Sequence, residues 1–137
     1  MKIEGGCYCG QITFEAEAKS ATFGICHCSE CQVFTGSAFN TAIAVSAVDF
    51  LLLTGTPKTF VKTAAQSGRK VLRAFCGTCG SPIFRHSIDD PSIYRISLGS
   101  IKQRAMFAPV RQIWKCSALP WVETISDIRP VFEQNPL

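Results

Sequence analysis

Seven of the eight cysteines of this 137-residue chain fall in three close groups. Cys7 and Cys9 stand in GGCYCGQ, Cys26, Cys28 and Cys31 in ICHCSEC, and Cys76 and Cys79 in FCGTCGS, while Cys116 lies apart between Lys115 and Ser117. Grouped thiols can close disulfides, exchange electrons as a redox pair, or hold a metal ion as thiolates. The opening MKIEGGC meets an acidic residue and two glycines before any apolar run, so no secretory signal is expected and a cytoplasmic location is. In a reducing compartment a disulfide scaffold is disfavoured, and metal binding or catalysis becomes the expectation.

CGTCG has the form of a zinc knuckle. Two intervening residues let a tight turn aim both sulfurs at one ion, and Gly77 and Gly80 permit the turn. The C-x-C pairs need a bend, because residues i and i+2 of an extended strand lie about 6.6 to 6.8 Å apart. Sulfurs on a tetrahedral zinc are only about 3.8 Å from each other. Gly5, Gly6 and Gly10 make the bend cheap around Cys7 and Cys9. A structural zinc takes four ligands, so Cys7 and Cys9 are expected to complete the site begun by Cys76 and Cys79, sealing it and clamping distant parts of the chain.

Cys26, Cys28 and Cys31 remain, a trio whose last coordination position can hold water or substrate, as catalytic zinc does. A helix starting near Cys28-Ser29-Glu30 would favour thiolate at Cys28 and Cys31. The alternative is a second closed site completed by Cys116 or a histidine. A redox switch at Cys28 and Cys31 lacks the βαβ setting such motifs occupy. His27 is expected to point away from its cysteine neighbours, His86 to be a satisfied strand histidine, and Cys116 to be a free or buried thiol.

The elements that must position these groups read as strands. QITFEAEA (11–18), FNTAIAV (39–45), KTFVKT (58–63), RKVLRAF (69–75), PIFRHSI (82–88) and IYRISLG (93–99) are β-rich runs. Turns are expected at Gly55-Thr56-Pro57, Gln66-Ser67-Gly68 and Asp89-Asp90-Pro91, with a further short helical turn around 100–105. The fold class is mainly β: one zinc-stabilised domain over 1–137, of short antiparallel sheets with few short helices. Hydrophobic residues at 47% against 18% charged place the chain among globular domains. The longest greasy stretch, Ala42 to Leu53, is broken by Ser46 and Asp49, too short for the roughly 20 residues a membrane span needs. The formal charge is +4; seven thiolates on two Zn²⁺ ions would add about −3 and leave the protein nearly neutral, which takes away the main support for a nucleic-acid partner, and none is expected.

Beyond these local readings the chain resembles the glutathione-dependent formaldehyde-activating enzymes, a domain also found in centromere protein V. The resemblance runs from GGCYCGQITFEA through CHCSECQVFTGSAF and LRAFCGTCGSPIF to SLGS and SALPWVE. It implies a four-cysteine structural zinc at Cys7, Cys9, Cys76 and Cys79 and a second zinc at Cys26, Cys28 and Cys31, two per chain. It also implies carbon–sulfur lyase chemistry: addition of the glutathione thiol to formaldehyde, or the reverse, with another thiol adduct or small electrophile as a variant. Departures stand at Gln32, where a basic residue is common, at Gln112 in place of a histidine before Ile113-Trp114, and at Lys102, where an acidic residue often stands. Lys58, Arg69, Lys70, Arg73, Lys102, Arg104 and Arg111 are candidate partners for a glutathione carboxylate, with solvated surface charge as the plainer role. Phe34, Phe39, Trp114 and Trp121 could line a cleft, with core packing the plainer expectation. The reading from a different class is a zinc-stabilised binding module without catalysis.

Overall fold

The structure, a computed structural model, describes residues 1–63 and 67–135. Strands form where apolar residues alternate with polar ones, because successive side chains leave a strand on opposite faces. They are β1 (Lys2–Gly6), β2 (Thr13–Glu17), β3 (Thr22–Cys26), β4 (Asn40–Ser46), β5 (Phe50–Thr54), β6 (Lys58–Thr63), β7 (Lys70–Phe75), β8 (Pro82–Ser87), β9 (Ile93–Ser97) and β10 (Ala108–Ile113). One α-helix, α1 (Ser29–Thr35), lies between β3 and β4. Gln66 of the expected Gln66-Ser67-Gly68 turn lies outside the described residues. Among the described residues no helix is long and apolar enough to cross a membrane.

The strands make two sheets, one ordered β1-β2-β5 and one ordered β10-β3-β4-β9-β8-β7-β6. Ile3 and Phe14 of the small sheet and Ile43, Val45 and Ile96 of the large one are each at most 2% exposed and belong to one core. Phe50 joins the layers, its ring centroid 5.3 Å from Phe14, 5.2 Å from Phe84 and 5.4 Å from Tyr94. Phe84 and Tyr94 stack at 4.4 Å, with His86 5.1 Å from Tyr94. The aromatic face of the large sheet thus points at the small sheet. Its opposite face is left for α1.

All the expected strands are present, within one or two residues for most ends. The structure adds β1, β3, β5 and β10. The run from Ala42 to Leu53 proves to be two strands, β4 and β5, separated by a 3-10 turn at Ala47–Asp49. β10 pairs in parallel with β3, whereas the other described pairings are antiparallel. Its Pro109 lacks a ladder donor and is tolerated because β10 is an edge strand. Two short 3-10 turns that meet at a kink at Thr124 also occupy Pro120–Asp127, a segment that carried no helix signal in sequence.

Gly5 marks where the small sheet meets the chain after β9. A Cβ there would lie 2.3 Å from both the Phe14 ring and the carbonyl oxygen of Ser100, while one on Gly99 would meet nothing within 4 Å. Gly5→Ala is expected to destabilise the protein by about 1–3 kcal/mol or more, and Gly99→Ala to stay within about 0.5 kcal/mol of the parent. Urea denaturation followed by circular dichroism measures both.

Candidate metal centre

The first cluster is assembled by two turns. β1 stops at Gly6 and the chain doubles back, with the Cys7 N–H donating to the Ile12 carbonyl at 3.0 Å and the Gly10 N–H to the Cys7 carbonyl at 3.1 Å. Gly10 takes φ +80°, a backbone state that suits glycine. The knuckle after β7 repeats the device: Cys76 N–H bonds Ser81 at 2.9 Å, Gly80 N–H bonds Cys76 at 2.9 Å, and Gly80 has φ +76°. Facing one another, the turns bring Cys7 Sγ within 3.5 Å of Cys9 Sγ and Cys9 Sγ within 3.7 Å of Cys76 Sγ. The four sulfurs, including Cys79, lie within 4.8 Å of one another. The Tyr8 N–H bonds Ser81 Oγ at 2.9 Å, tying the two turns directly.

The second cluster forms where β3 ends and α1 begins. Cys26 closes β3, and Cys28 caps the helix, its sulfur accepting the Cys31 N–H at 3.4 Å. Cys26 and Cys28 sulfurs are 3.5 Å apart, and all three sulfurs of the trio lie within 4.8 Å. Arg85 of β8 donates from Nη1 to Cys31 Sγ at 3.3 Å, and Asn40 Nδ2 sits 4.0 Å from the same sulfur.

His27, between Cys26 and Cys28 of the trio, is fully buried and pins this loop. Its N–H bonds the Ile113 carbonyl at 3.1 Å, its Nε2 lies 2.7 Å from Gln112 Oε1, and its carbonyl accepts from Gln32 Nε2 at 2.8 Å. Gln32 Nε2 also reaches the Ser117 carbonyl at 2.9 Å. Two of the family departures noted in the sequence, Gln32 and Gln112, therefore belong to one network around His27. The third, Lys102, bonds Glu4 Oε2 at 3.0 Å.

Every described cysteine is a free thiol. Neither Cys116, which is exposed, nor a histidine joins the trio among the described residues. His86 instead bonds the Ser87 carbonyl from Nδ1 at 2.8 Å and stacks in the aromatic group. One expectation is reversed. The four-cysteine cluster is not sealed, because Cys9 is exposed, whereas Cys26 and Cys31 are buried and only Cys28 is half-buried. The trio is open in ligand number and faces solvent chiefly at Cys28. Trp114 and Trp121 also depart from the core role expected of them, at 37% and 47% exposed. Phe34 carries the Arg73 guanidinium 4.5 Å above its ring.

Crowded sulfurs cannot all ionise unaided. The Cys31 thiol is held down to about 4, first by the hydrogen bond from Cys26 and then by the Arg85 and Arg73 charges acting against burial, while Cys26 is pushed upward, first by Cys31. In the other cluster the Ser81 hydroxyl and N–H hold Cys79 down to about 5. Cys9 is pushed up to about 12: the Gln11 N–H lowers it, but burial and the neighbouring thiols outweigh that. Each cluster thus sets a thiol held below its usual range beside one pushed above it, the pattern of like charges sharing a site. A soft divalent cation removes the conflict, and sulfurs 3.5 to 3.7 Å apart match the roughly 3.8 Å separation on tetrahedral zinc. Both clusters could hold a metal ion.

A cleft of about 690 Å³ runs from Cys7 and Tyr8 past Ser97–Lys102 to Phe39 and Asn40. Asn40 thereby touches both the cleft and Cys31. Two cations missing from the sequence candidates, Arg85 and Arg95, stand on the face that bears the trio. The signal was one arginine within each of KVLRAF, PIFRHS and IYRIS, but only strand register reveals that they align.

No curated protein matches the chain at a significant level. A crystal structure of a Rhodobacter sphaeroides protein has the same fold: it is 20% identical, with 80% of this chain and 98% of that chain covered and a TM-score of 0.60. The model of the glutathione-dependent formaldehyde-activating enzyme family matches residues 2–117, which include both cysteine clusters, the Gln32–His27–Gln112 network and Arg85. The chain belongs to the glutathione-dependent formaldehyde-activating enzyme family.

Proposed function

We propose that the protein is a carbon–sulfur lyase that joins the thiol of glutathione, or a related small thiol, to formaldehyde or a similar electrophile, and runs the reverse. In this reading Cys7, Cys9, Cys76 and Cys79 hold a structural zinc, and Cys26, Cys28 and Cys31 hold a working one. The observation that carries it is the trio: three sulfurs within 4.8 Å, joined by no other ligand among the described residues, with Cys28 toward solvent. Bound zinc stabilises a thiolate and polarises a carbonyl oxygen.

The reaction itself is simple in its balance. The thiol gives up its proton, the sulfur lone pair forms the C–S bond, and the C=O π pair moves to oxygen, which takes a proton. Cleavage reverses each movement. What the chain contributes is geometry and charge. Arg85 and Asn40 hold Cys31 in place, the His27 network fixes the Cys26–Cys28 bend, and reactants approach at the half-buried Cys28 side. Holding two reactants in register replaces a bimolecular encounter by an oriented one.

Purified with zinc, the protein is expected to bind two metal ions per chain and to accelerate glutathione–formaldehyde exchange, followed by NMR, beyond the spontaneous rate. Exchange at the spontaneous rate with both sites loaded would remove the lyase reading. Cys31→Ser is expected to lose one metal and the acceleration while keeping the β-sheet circular dichroism. Cys79→Ser is expected to unfold, since structural zinc is worth an apparent ~10–16 kcal/mol in small peptides, against roughly 5–15 kcal/mol of stability for a whole domain.

Metal retention is also expected to depend on pH. Cys26 and Cys9 keep their protons longest, so the ions must displace protons to bind, and lowering the pH favours release. In the metal-free protein the depressed Cys31 and Cys79 thiols have the opposite bearing on folding. Their contribution is present above the ordinary thiol pKa and is lost as pH falls through about 4 and about 5. Metal content after equilibration against a fixed chelator, measured across pH, checks the first point. Urea midpoints of the metal-free protein check the second.

A further inference from the structure

Arg73, Arg85 and Arg95 lie directly opposite one another on β7, β8 and β9. Residues paired across strands point to the same face of a sheet, and Arg85 reaches Cys31 from it. The row therefore stands on the face that carries the trio. Arg111 of β10 joins from the far edge. A Cβ on Gly24 would lie 3.3 Å from Arg111 Nε, so the Arg111 side chain lies across Gly24, whose face it shares with Cys26 two residues on.

Like charges set opposite one another destabilise a sheet, so four converging guanidiniums call for anionic partners. A trio of thiolates on a divalent cation carries a net charge of about −1. Arg85, bonded to Cys31, and Arg73, buried over Phe34 and acting on Cys31, already more than offset that charge. Indeed Nη1 of Arg73 is buried with no hydrogen-bond partner, a surplus of donors. Arg95 and Arg111 are left over. The ion pairs of the described residues join Met1, Lys2, Lys62, Lys102 and Lys115 to glutamates and use none of these arginines.

The surface between them is low. Ala44 lies opposite Arg95, and Ala42 lies opposite Gly24, which pairs with Arg111. Small residues there leave room above the sheet for a ligand. Arg95 and Arg111 are both exposed at the surface; Arg95 has its pKa lowered by partial desolvation first and then by Arg85, Arg111 and Arg69, and raised by Cys26, so these cations lie within one another's field. The cations of the large cleft are otherwise engaged, Lys102 with Glu4 and Arg104 Nη1 with the Ile101 carbonyl at 3.3 Å.

We infer that Arg95 and Arg111 form a carboxylate subsite beside the Cys26–Cys28–Cys31 trio, which holds an acidic thiol or thiol adduct while its sulfur reaches the metal position. This rests on the trio as the working site and adds what selects the substrate: a carboxylate carried on the same small molecule as the sulfur.

The test is calorimetric titration of the zinc-loaded protein with S-methylglutathione, whose blocked sulfur leaves its carboxylates to bind, and with the diethyl ester of the same compound. The acid is expected to bind at least about tenfold more tightly than the diester, an advantage that shrinks as salt is raised. Arg95→Gln and Arg111→Gln are each expected to weaken acid binding about tenfold and leave diester binding unchanged, with Arg95→Lys recovering part of the loss. Metal content and circular dichroism report whether the variants are intact, and the comparison of acid with diester on the parent protein needs no variant at all. The inference is overturned by no binding of the acid, by equal binding of acid and diester, or by parental affinity in both folded glutamine variants. It is overturned equally by a loss confined to Arg104→Gln, which would place the anion in the cleft. Exchange activity is read separately. Arginine-dependent binding without exchange removes the lyase reading and leaves the subsite standing, and exchange with arginine-independent binding does the reverse.

Discussion

Mutual repulsion among closely held thiolates is the constraint on which the rest of the structure depends. Seven sulfurs are brought into two groups, each within 4.8 Å, and no arrangement of neutral neighbours lets all of them ionise at once. The protein eases the strain locally, with Arg85 on Cys31, Ser81 on Cys79 and backbone N–H groups on Cys7 and Cys9. Complete relief needs a cation. The architecture can be understood as a frame that holds sulfur positions which only a bound ion makes comfortable.

That frame separates two tasks by face. The aromatic side of the large sheet is spent on Phe50, Phe84 and Tyr94, which fasten it to the small sheet. The reverse side carries Cys26, Asn40 and the arginine row, and α1 is anchored over it by Cys28, Gln32 and the Glu30–Lys62 ion pair. The four-cysteine cluster sits at a different place, where the end of β1 meets the turn between β7 and β8. It links a sheet end to a turn and touches none of the arginines of the row. A metal there would join a sheet end to a turn, whereas one at the trio would lie beside charged side chains.

What was legible in the sequence was what is local. Glycines beside C-x-C and C-x-x-C announced the bends, and alternation in FNTAIAV and IYRIS announced β4 and β9. Grouping Cys7 and Cys9 with Cys76 and Cys79 followed from ligand counting, and the structure places those sulfurs together. β3 and β10 were not legible. Gly24 interrupts the first because Arg111 lies across it, and Pro109 interrupts the second. Their pairing is parallel and bridges distant segments, so no turn signal advertises it. The arginine row escaped for a related reason. Arg73 and Arg111 were noticed as isolated charges, but the alignment of Arg73 with Arg85 and Arg95 exists only in the register of three strands. Exposure misled in the other direction: ligand number pointed to the trio as the open site, yet Cys9 is a more exposed residue than any cysteine of the trio.

The parallel pairing of β10 with β3 has a bearing on how the nascent chain matures. Gln112 lies 85 residues beyond His27, and Ser117 lies 85 beyond Gln32. A growing polypeptide therefore exposes Cys26, Cys28 and Cys31 long before the ribosome has delivered the residues that brace their loop, and the knuckle cysteines also emerge before that brace. The trio reaches its final shape only after the chain has been made as far as Ser117, which sets the order in which the two cysteine clusters can be completed.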